Sequence, residues 1–263
     1  MFMNLKKIVD KVKLNSISLR FEKEYSYDLP IGASKVGGHP DLPTDFHWYY
    51  FESKSMITDE TRSRPLSFLA QINCKDVKEY DMDNRLPDCG ILYFFYELES
   101  MVWGFDPKDK GCAKVFYYNG DLSGLKRTNF PNDLSPDLIL PEIRLSFEAK
   151  YNAPSYEELF NDSNIRLCDK YSEFIENSEY NTDDNTTKLL GYADVIQNEM
   201  LLECELVTNG VYCGDNTGYK TPLRKELEQN RNQWKLLFQL DTVEKDDFEL
   251  MFGDCGRIYC VFR

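Results

Sequence analysis

The stretch SFLAQIN at residues 67–73 returns in altered form as KLLFQLD at residues 235–241. Both stretches are apolar and of strand length, and both carry a glutamine at the fifth position, Gln71 and Gln239. Each is followed by a related block in which turn residues lead into a strand, DCGILYF at 88–94 and DCGRIYC at 254–260. These pairs predict that two parts of the chain form similar β-rich structures.

A third pair of blocks lies upstream of the first two, GHPDL at 38–42 and GYADV at 191–195. Three matched blocks in the same order indicate duplication of a β-rich unit. We therefore expect one compact domain over residues 1–263, with a first half at about 14–150, a helical linker at about 153–187 and a second half at about 188–263. Two repeats are too few for a solenoid, so we expect two pseudo-symmetric sheets that pack on each other.

The rest of the pattern predicts an α+β fold of mostly antiparallel sheets with peripheral helices. Apolar residues recur at helical spacing at 5–12 and again at 167–175, and Thr221-Pro222 is typical of a helix start. The acidic run at 176–187 predicts a surface loop. Strands are expected at 17–21, 66–72, 91–96, 101–105, 113–118, 143–147, 234–240, 248–252 and 257–262.

Composition excludes several classes of function. The 263-residue chain has a formal net charge of −14, which opposes binding to a nucleic-acid backbone and leaves a basic protein or peptide as the expected partner. No apolar run approaches the roughly 20 residues that span a bilayer. Its 8 cysteines form no CxxC pair and favour a reducing, cytoplasmic location. No metal or cofactor motif is present, and oligomeric state cannot be derived.

Gln71 and Gln239 are the first candidate site residues, because amides inside apolar strands need hydrogen-bond partners. Two interpretations remain open. Each amide bonds the backbone of a loop in its own half, or both amides face a shared cleft between the halves and contact a ligand there.

Trp103 and Asp106 form a second candidate, at the end of the expected strand 101–105. An aromatic ring beside a carboxylate suits recognition of a peptide or a sugar. In the alternative interpretation, Trp103 and Phe105 fill the core and Asp106 bonds its own turn.

His39 and Asp41 are the remaining candidates, in a loop rich in glycine and proline. His39 and His47 are the two histidines of the chain, so histidine-based chemistry has few options. The second half has Tyr192 where the first has His39, which favours a histidine at a turn over a catalytic one. No nucleophile, phosphate-loop or calcium-loop motif is present, and we assign no catalytic residue.

Seven blocks in order resemble the YwqG-like family of bacterial proteins: GGHPDLP (37–43), PLSFLAQIN (65–73), LPDCGILYFFY (86–96), WGFDPKDKGCAKVFYY (103–118), GYADVIQNEM (191–200), LLFQLD (236–241) and MFGDCGRIYCVF (251–262). The resemblance implies a cytoplasmic protein with a mostly antiparallel α+β fold and no assigned activity. Some members accompany toxin or secretion loci, which implies an immunity-like or chaperone-like role. One departure is visible, since Trp48 is followed by Tyr49 and not by the expected proline.

The leading hypothesis is a non-enzymatic protein-binding module that holds a basic partner. The alternative is an enzyme or a small-ligand-binding protein that uses the cleft between the halves, with Gln71, Asp106, Gln239 and His39 as polar contacts. A third hypothesis is a structural scaffold that assembles as a symmetric oligomer.

Overall fold

The computed structural model describes residues 4–22, 28–55, 59–160, 164–181, 186–196 and 200–263, and it has the predicted α+β fold. Its strands are β1 Leu14–Glu22, β2 Lys35–Val36, β3 Asp41–Pro43, β4 Tyr50–Lys54, β5 Thr61–Pro65, β6 Ser67–Asn73, β7 Ile91–Tyr96, β8 Ala113–Tyr118, β9 Leu125–Arg127, β10 Ile143–Asn152, β11 Lys188–Leu190, β12 Lys235–Leu240, β13 Val243–Lys245, β14 Phe248–Leu250 and β15 Ile258–Phe262. Its α-helices are α1 Leu5–Val12, α2 Cys74–Val77, α3 Tyr156–Phe160, α4 Ile165–Glu176, α5 Met200–Thr208 and α6 Arg224–Leu227. Short 3₁₀ turns connect several of them.

One large antiparallel sheet organises the molecule. Its nine strands follow the order β15-β12-β11-β1-β10-β2-β6-β7-β8. The expectation of two separate sheets is wrong, because β1 and β10 pair along nine residues, from Leu14 opposite Asn152 to Glu22 opposite Arg144. The pairing of β1 with β11 joins strands of both halves into one sheet, and the pairs β3-β9, β4-β5 and β13-β14 stand outside it.

β1 links the two halves at the centre of the sheet. It belongs to the first half, yet its neighbour on the side away from β10 is β11 of the second half. β10 lies in the first half as well, and its other neighbour is β2, which pairs with it at Ile143 and Arg144. The second half of the sheet is therefore completed by a strand of the first half.

Details of the backbone recur in both halves. The β6-β7 pairing shifts between Phe68 and Ala70, and the β12-β15 pairing shifts between Leu236 and Phe238. Two consecutive residues with positive φ stand at the end of both β2 and β11: Gly37 (60°) and Gly38 (64°) directly after β2, and Leu190 (60°), the last residue of β11, with Gly191 (75°). Evolutionary duplication itself stays a prediction.

The core lies on both sides of β7, which is buried along its whole length. Leu92, Phe94 and Tyr96 face one apolar cluster, whereas Ile91, Tyr93 and Phe95 face another. This explains why the run ILYFFY is continuously apolar and does not alternate. The Phe94 and Phe238 rings lie 4.3 Å apart; five strands separate β7 and β12 in the sheet order, so the sheet curls to bring them together.

Three local predictions need correction. Residues 101–105 form no strand; they lie in an irregular loop between β7 and β8. The run 176–187 is not a surface loop throughout, because Thr186 and Thr187 are buried beside β11, and residues 182–185 lie outside the described part. α5 has no counterpart among the predicted helices. Within the described residues, no helix has the length and apolarity needed to cross a membrane.

Candidate functional site

Gln71 lies in a closed polar cluster in the first half. Its side chain is 0% exposed, and its Nε2 donates to Ala33 O at 2.8 Å and to Asp41 Oδ2 at 2.8 Å. Its Oε1 accepts a hydrogen bond from the Asp41 backbone N–H at 2.9 Å. The amide therefore uses both of its ends to fix the loop that carries Asp41 onto β6.

Two further side chains bond Asp41, which is itself fully buried. Arg127 Nε donates to Asp41 Oδ1 at 3.0 Å, and the Tyr93 hydroxyl donates to the Asp41 carbonyl. Lys35 is 0% exposed and donates to Glu142 Oε2 at 2.6 Å and to His39 O at 2.7 Å. Burial lowers the pKa of Lys35 despite these partners.

Gln239 makes the corresponding contacts in the second half. Its Nε2 donates to Thr186 O at 2.6 Å and to Asp194 Oδ2 at 2.8 Å, and its Oε1 accepts from Asp194 N–H at 2.9 Å. Lys188 occupies the place of Lys35, since it pairs with Gln239 across the strands as Lys35 pairs with Gln71. Its Nζ lies 2.7 Å from Asp194 Oδ2, and burial lowers its pKa.

Tyrosine and arginine complete this second cluster as they complete the first. Tyr259 donates its hydroxyl to Asp194 O at 2.9 Å, and Arg257 Nη1 donates to the same carbonyl at 2.8 Å. Arg257 Nε also donates to Asp241 Oδ2 at 2.9 Å. Burial opposes ionisation of Asp241, but hydrogen bonds from Thr186 and Arg257 outweigh it and hold the pKa of Asp241 below its ordinary value.

Both clusters are built from partners within the chain, which matches the first interpretation of the two glutamines. The geometry brings Gln71 together with Asp41, and places Gln239 with Asp194 in the other half. The matched sequence blocks align Asp41 with Asp194, so this alignment could have identified Asp194 as a residue of the second cluster. A ligand-binding role for Gln71, Gln239 and Asp41 stays a prediction.

His39 lies outside the first cluster although its carbonyl contributes to it. Its ring is exposed, with Nδ1 3.1 Å from Thr128 O and its centroid 4.6 Å from that of Phe130. The imidazole therefore packs beside Phe130 at the surface. Its proposed role as a polar contact also stays a prediction.

The environment of Trp103 contradicts the interpretation that this side chain fills the core. Its side chain is 70% exposed, and it lies in the irregular loop between β7 and β8. Phe105, two residues later, is half-buried and packs on the apolar cluster under α5. An indole that stays in water while its neighbour anchors the loop is available for recognition.

Two aspartates fix this loop. Asp106 caps a 3₁₀ turn at Pro107–Asp109, where its Oδ1 accepts from Lys108 N–H at 2.9 Å. Asp109 Oδ2 accepts from the N–H of Gly104 at 3.2 Å, directly after Trp103 in the chain. Burial raises the pKa of Asp109. Asp106 therefore bonds its own turn, as one interpretation predicted. This turn holds the indole of Trp103 outside the core.

Two other segments meet the Trp103 loop. The Phe105 carbonyl accepts from Cys213 N–H at 2.9 Å, and the rings of Phe105 and Tyr212 meet edge-on with centroids 5.7 Å apart. A Cβ atom placed on Gly253 would lie 3.8 Å from Trp103 Cζ2, so the indole lies over the turn between β14 and β15. We call the combination of Trp103, Phe105, Tyr212 and the turn 253–255 the Trp103 surface.

The backbone of this surface is strained at two positions. Met101 has φ of 45° and Cys255 has φ of 57°, values that residues other than glycine adopt rarely. Such conformations cost about 1–3 kcal/mol and cluster at binding and catalytic sites. The two strained residues flank the exposed indole on separate segments.

The charge around the Trp103 surface is negative. The segments 101–111, 211–215 and 252–255 contain four aspartates, at positions 106, 109, 215 and 254, against two lysines, at positions 108 and 110. Tyr212 and Asp254 are exposed here, and the sequence offered no signal that they lie near Trp103. The surface thus combines an exposed indole, a second exposed ring and an excess of carboxylates.

A separate cavity of about 740 Å³ lies between α3, the loop 191–196, α5 and the start of β12. Its lining is mostly apolar and aromatic, including Tyr192 and Trp234, with glutamates at 157 and 158 and basic residues at 231 and 235. None of the six candidate residues, Gln71, Gln239, Trp103, Asp106, His39 and Asp41, contributes to this lining.

The described structure contains all eight cysteines as free thiols. Cys89 and Cys255 are exposed, whereas Cys74 and Cys112 are buried in the main core. Burial raises the pKa of Cys74 to about 11 and that of Cys112 to about 12. The two buried thiols therefore behave as small apolar side chains near neutral pH.

Comparison with known proteins gives a family but no activity. A search of curated proteins finds no match. A family model described as "Domain of unknown function (DUF1963)" matches residues 34–263, which include both glutamines, their aspartate partners and the Trp103 surface and leave out α1 and β1. The chain belongs to this DUF1963 family.

Proposed function

We propose that this protein is a binding module that holds a basic segment of a partner protein on the Trp103 surface. The 70% exposure of Trp103 is the observation that carries the proposal. A guanidinium or ammonium group attracts the face of an indole, and this attraction grows when carboxylates stand nearby. The four aspartates of the three segments supply that second contribution.

The rigidity of the surface supports the same proposal. Phe105 is anchored in the cluster under α5, and Asp106 and Asp109 cap the turn that follows Trp103. A preorganised aromatic anchor loses little conformational entropy on binding, so more of its contact energy remains as affinity. By contrast, Gln71 and Gln239 already use their hydrogen-bonding groups inside the chain.

The finer parts of the proposal come from the sequence. The resemblance to the YwqG-like family implies an immunity-like or chaperone-like role for the module. Free cysteines in a core of antiparallel strands favour a cytoplasmic location. The continuity of the nine-stranded sheet favours one domain.

The test is binding of a fluorescently labelled, arginine-rich peptide, followed by anisotropy. We expect Trp103→Ala to weaken binding by about tenfold, the loss typical of a central aromatic anchor. Ile165→Ala is the matched control, because Ile165 is 75% exposed on α4, outside the Trp103 surface. Equal affinity of the wild type and the Trp103→Ala variant would contradict the proposal.

A further inference from the structure

The strand β8 forms one edge of the nine-stranded sheet and is the most open strand in it. Among the described residues it pairs with β7 alone, from Ala113 opposite Tyr96 to Tyr118 opposite Ile91. Its outer side therefore presents backbone N–H and C=O groups without a strand partner. Such an edge is a template for an added strand.

The side chains of β8 also differ from those of the opposite edge. Four of its six residues are exposed, including Val115 at 43% and Tyr117 at 38%. At the other edge, four of the five residues of β15 are half-buried. Arg263, just after β15, is held by Glu205 Oε2 at 2.9 Å and lies over the Trp234 ring. The β15 edge is thus partly covered, and the β8 edge is open.

The open edge begins where the Trp103 surface ends. The loop that carries Trp103 runs through the capped turn at Pro107–Asp109 and enters β8 at Ala113. Cys112, the last residue of this loop, accepts a hydrogen bond from Glu97 N–H at 2.8 Å, which holds the loop against the end of β7. The loop that presents the indole therefore leads directly into the strand edge.

We infer that the partner segment binds as an added antiparallel strand along β8, with its basic carboxyl-terminal end on the Trp103 surface. This rests on the proposed function and adds its binding mode. Antiparallel pairing follows the rest of the sheet and places the end of the added strand beside the start of β8. Alternate apolar side chains of the segment would contact Val115 and Tyr117, and the carboxylates near Trp103 fit its basic end.

The partner chemistry is thus specific: an extended segment with alternating β-branched residues followed by arginines or lysines. Backbone hydrogen bonds would supply affinity that does not depend on sequence. Trp103 and the exposed side chains of β8 would supply the preference for this pattern. A helical or an acidic segment satisfies neither condition.

Backbone methylation of a synthetic peptide tests the pairing. The probe is a valine–threonine alternating segment that ends in three arginines, measured by anisotropy with the full-length protein. Two isomers carry N-methyl groups on opposite sets of alternate residues. In an added strand, one set of N–H groups faces β8 and the other faces solvent. We expect one isomer to bind about tenfold or more weakly than the unmodified probe and the other to bind nearly as well.

The outcomes separate the two proposals. If both isomers bind like the unmodified probe and Trp103→Ala still weakens binding, the added strand is wrong and the Trp103 surface stands. If both isomers bind equally weakly, methylation acts on the peptide alone and the added strand is again wrong. If the unmodified probe does not bind while the arginine-rich peptide does, the added strand is wrong and the proposed function stands; if neither peptide binds, the proposed function fails as well.

Hydrogen exchange gives a second readout that needs no variant. On saturation with the unmodified probe, amides within 113–118 should exchange more slowly by about tenfold or more, whereas those within 258–262 should not change. Unchanged exchange in β8 would overturn the inference even if binding is tight.

Discussion

Gln71 and Gln239 hold matching positions in the two buried polar clusters. Each amide binds the backbone N–H and the carboxylate of one aspartate, Asp41 or Asp194, and a loop carbonyl. Removal of either amide leaves an N–H and a carboxylate oxygen with fewer partners; water cannot reach the fully buried Asp41, and it reaches only part of Asp194, whose side chain is 21% exposed.

We therefore expect Gln71→Leu to lower the free energy of unfolding by roughly 2–4 kcal/mol, and Gln239→Leu to lower it by a similar amount. Urea unfolding followed by circular dichroism measures both. Gln229→Leu is the control, because Gln229 is exposed and its change should cost less than about 0.5 kcal/mol. A neutral Gln239→Leu would show that the two clusters differ in energy despite their similar contacts.

The sequence predicted part of this residue-scale chemistry. A side-chain amide inside an apolar strand requires hydrogen-bond partners, so the need for hydrogen bonds at Gln71 and Gln239 was predictable from the sequence alone. The buried lysines, Lys35 and Lys188, did not follow, because a lysine beside an apolar run usually reaches solvent. Trp103 was open to two interpretations, since exposure of an indole depends on loops that are distant in sequence.

At the scale of elements, β1 is central to the sheet although it lies outside residues 34–263, the part that the family model matches. It pairs with β10 on one side and with β11 on the other. Ile17 and Leu19 of this strand are fully buried in the main core. Loss of β1 would expose two strand edges and open the core.

We expect a chain that begins at residue 23 to show no cooperative unfolding transition in urea. A chain that begins at residue 13 is the matched control, because it keeps β1 and loses α1, the packing of Val9 on α4 and its neighbours, and the hydrogen bonds that Tyr180 and Tyr192 donate to this helix. That shorter deletion should reduce stability by about 2–4 kcal/mol and preserve the transition. A cooperative transition in the longer deletion would mean that the matched region folds without its central strand.

Most strands were predictable because their apolar runs are bounded by turn residues. The prediction of a strand at 101–105 was wrong. Aromatic residues favour a strand locally, but Asp106 and Asp109 cap a turn that directly follows, and the segment lies outside the sheet. α5 was missed because its apolar residues do not follow one face of a helix, and the charged residue Glu205 is buried as well. The single sheet was missed because the pairing of β1 with β11 joins residues that are distant in sequence and leaves no local pattern.

At the scale of the whole molecule, the formal net charge of −14 creates a field that reaches beyond any one contact. Such a field speeds the approach of a basic partner and slows that of an acidic one. Contacts made by Trp103 after docking act mainly on dissociation, because they form only when the chains touch.

We expect the association rate of the arginine-rich peptide to fall by about tenfold between roughly 50 mM and 500 mM salt, while its dissociation rate changes much less. Stopped-flow anisotropy separates the two rates. Trp103→Ala should show the opposite pattern, with faster dissociation and nearly unchanged association. An association rate independent of salt would remove the role assigned to the net charge.

The long-range pairing of β1 also affects how the chain is made. During synthesis β1 leaves the ribosome well before its neighbours β10 and β11, which begin at Ile143 and Lys188. At about 5–20 residues per second, roughly 6–24 seconds separate the end of β1 from the start of β10. Through that interval the apolar side of β1 has no native partner, so the newborn chain depends on chaperones for longer when translation is slower, and slow codons before residue 143 would lengthen its exposure.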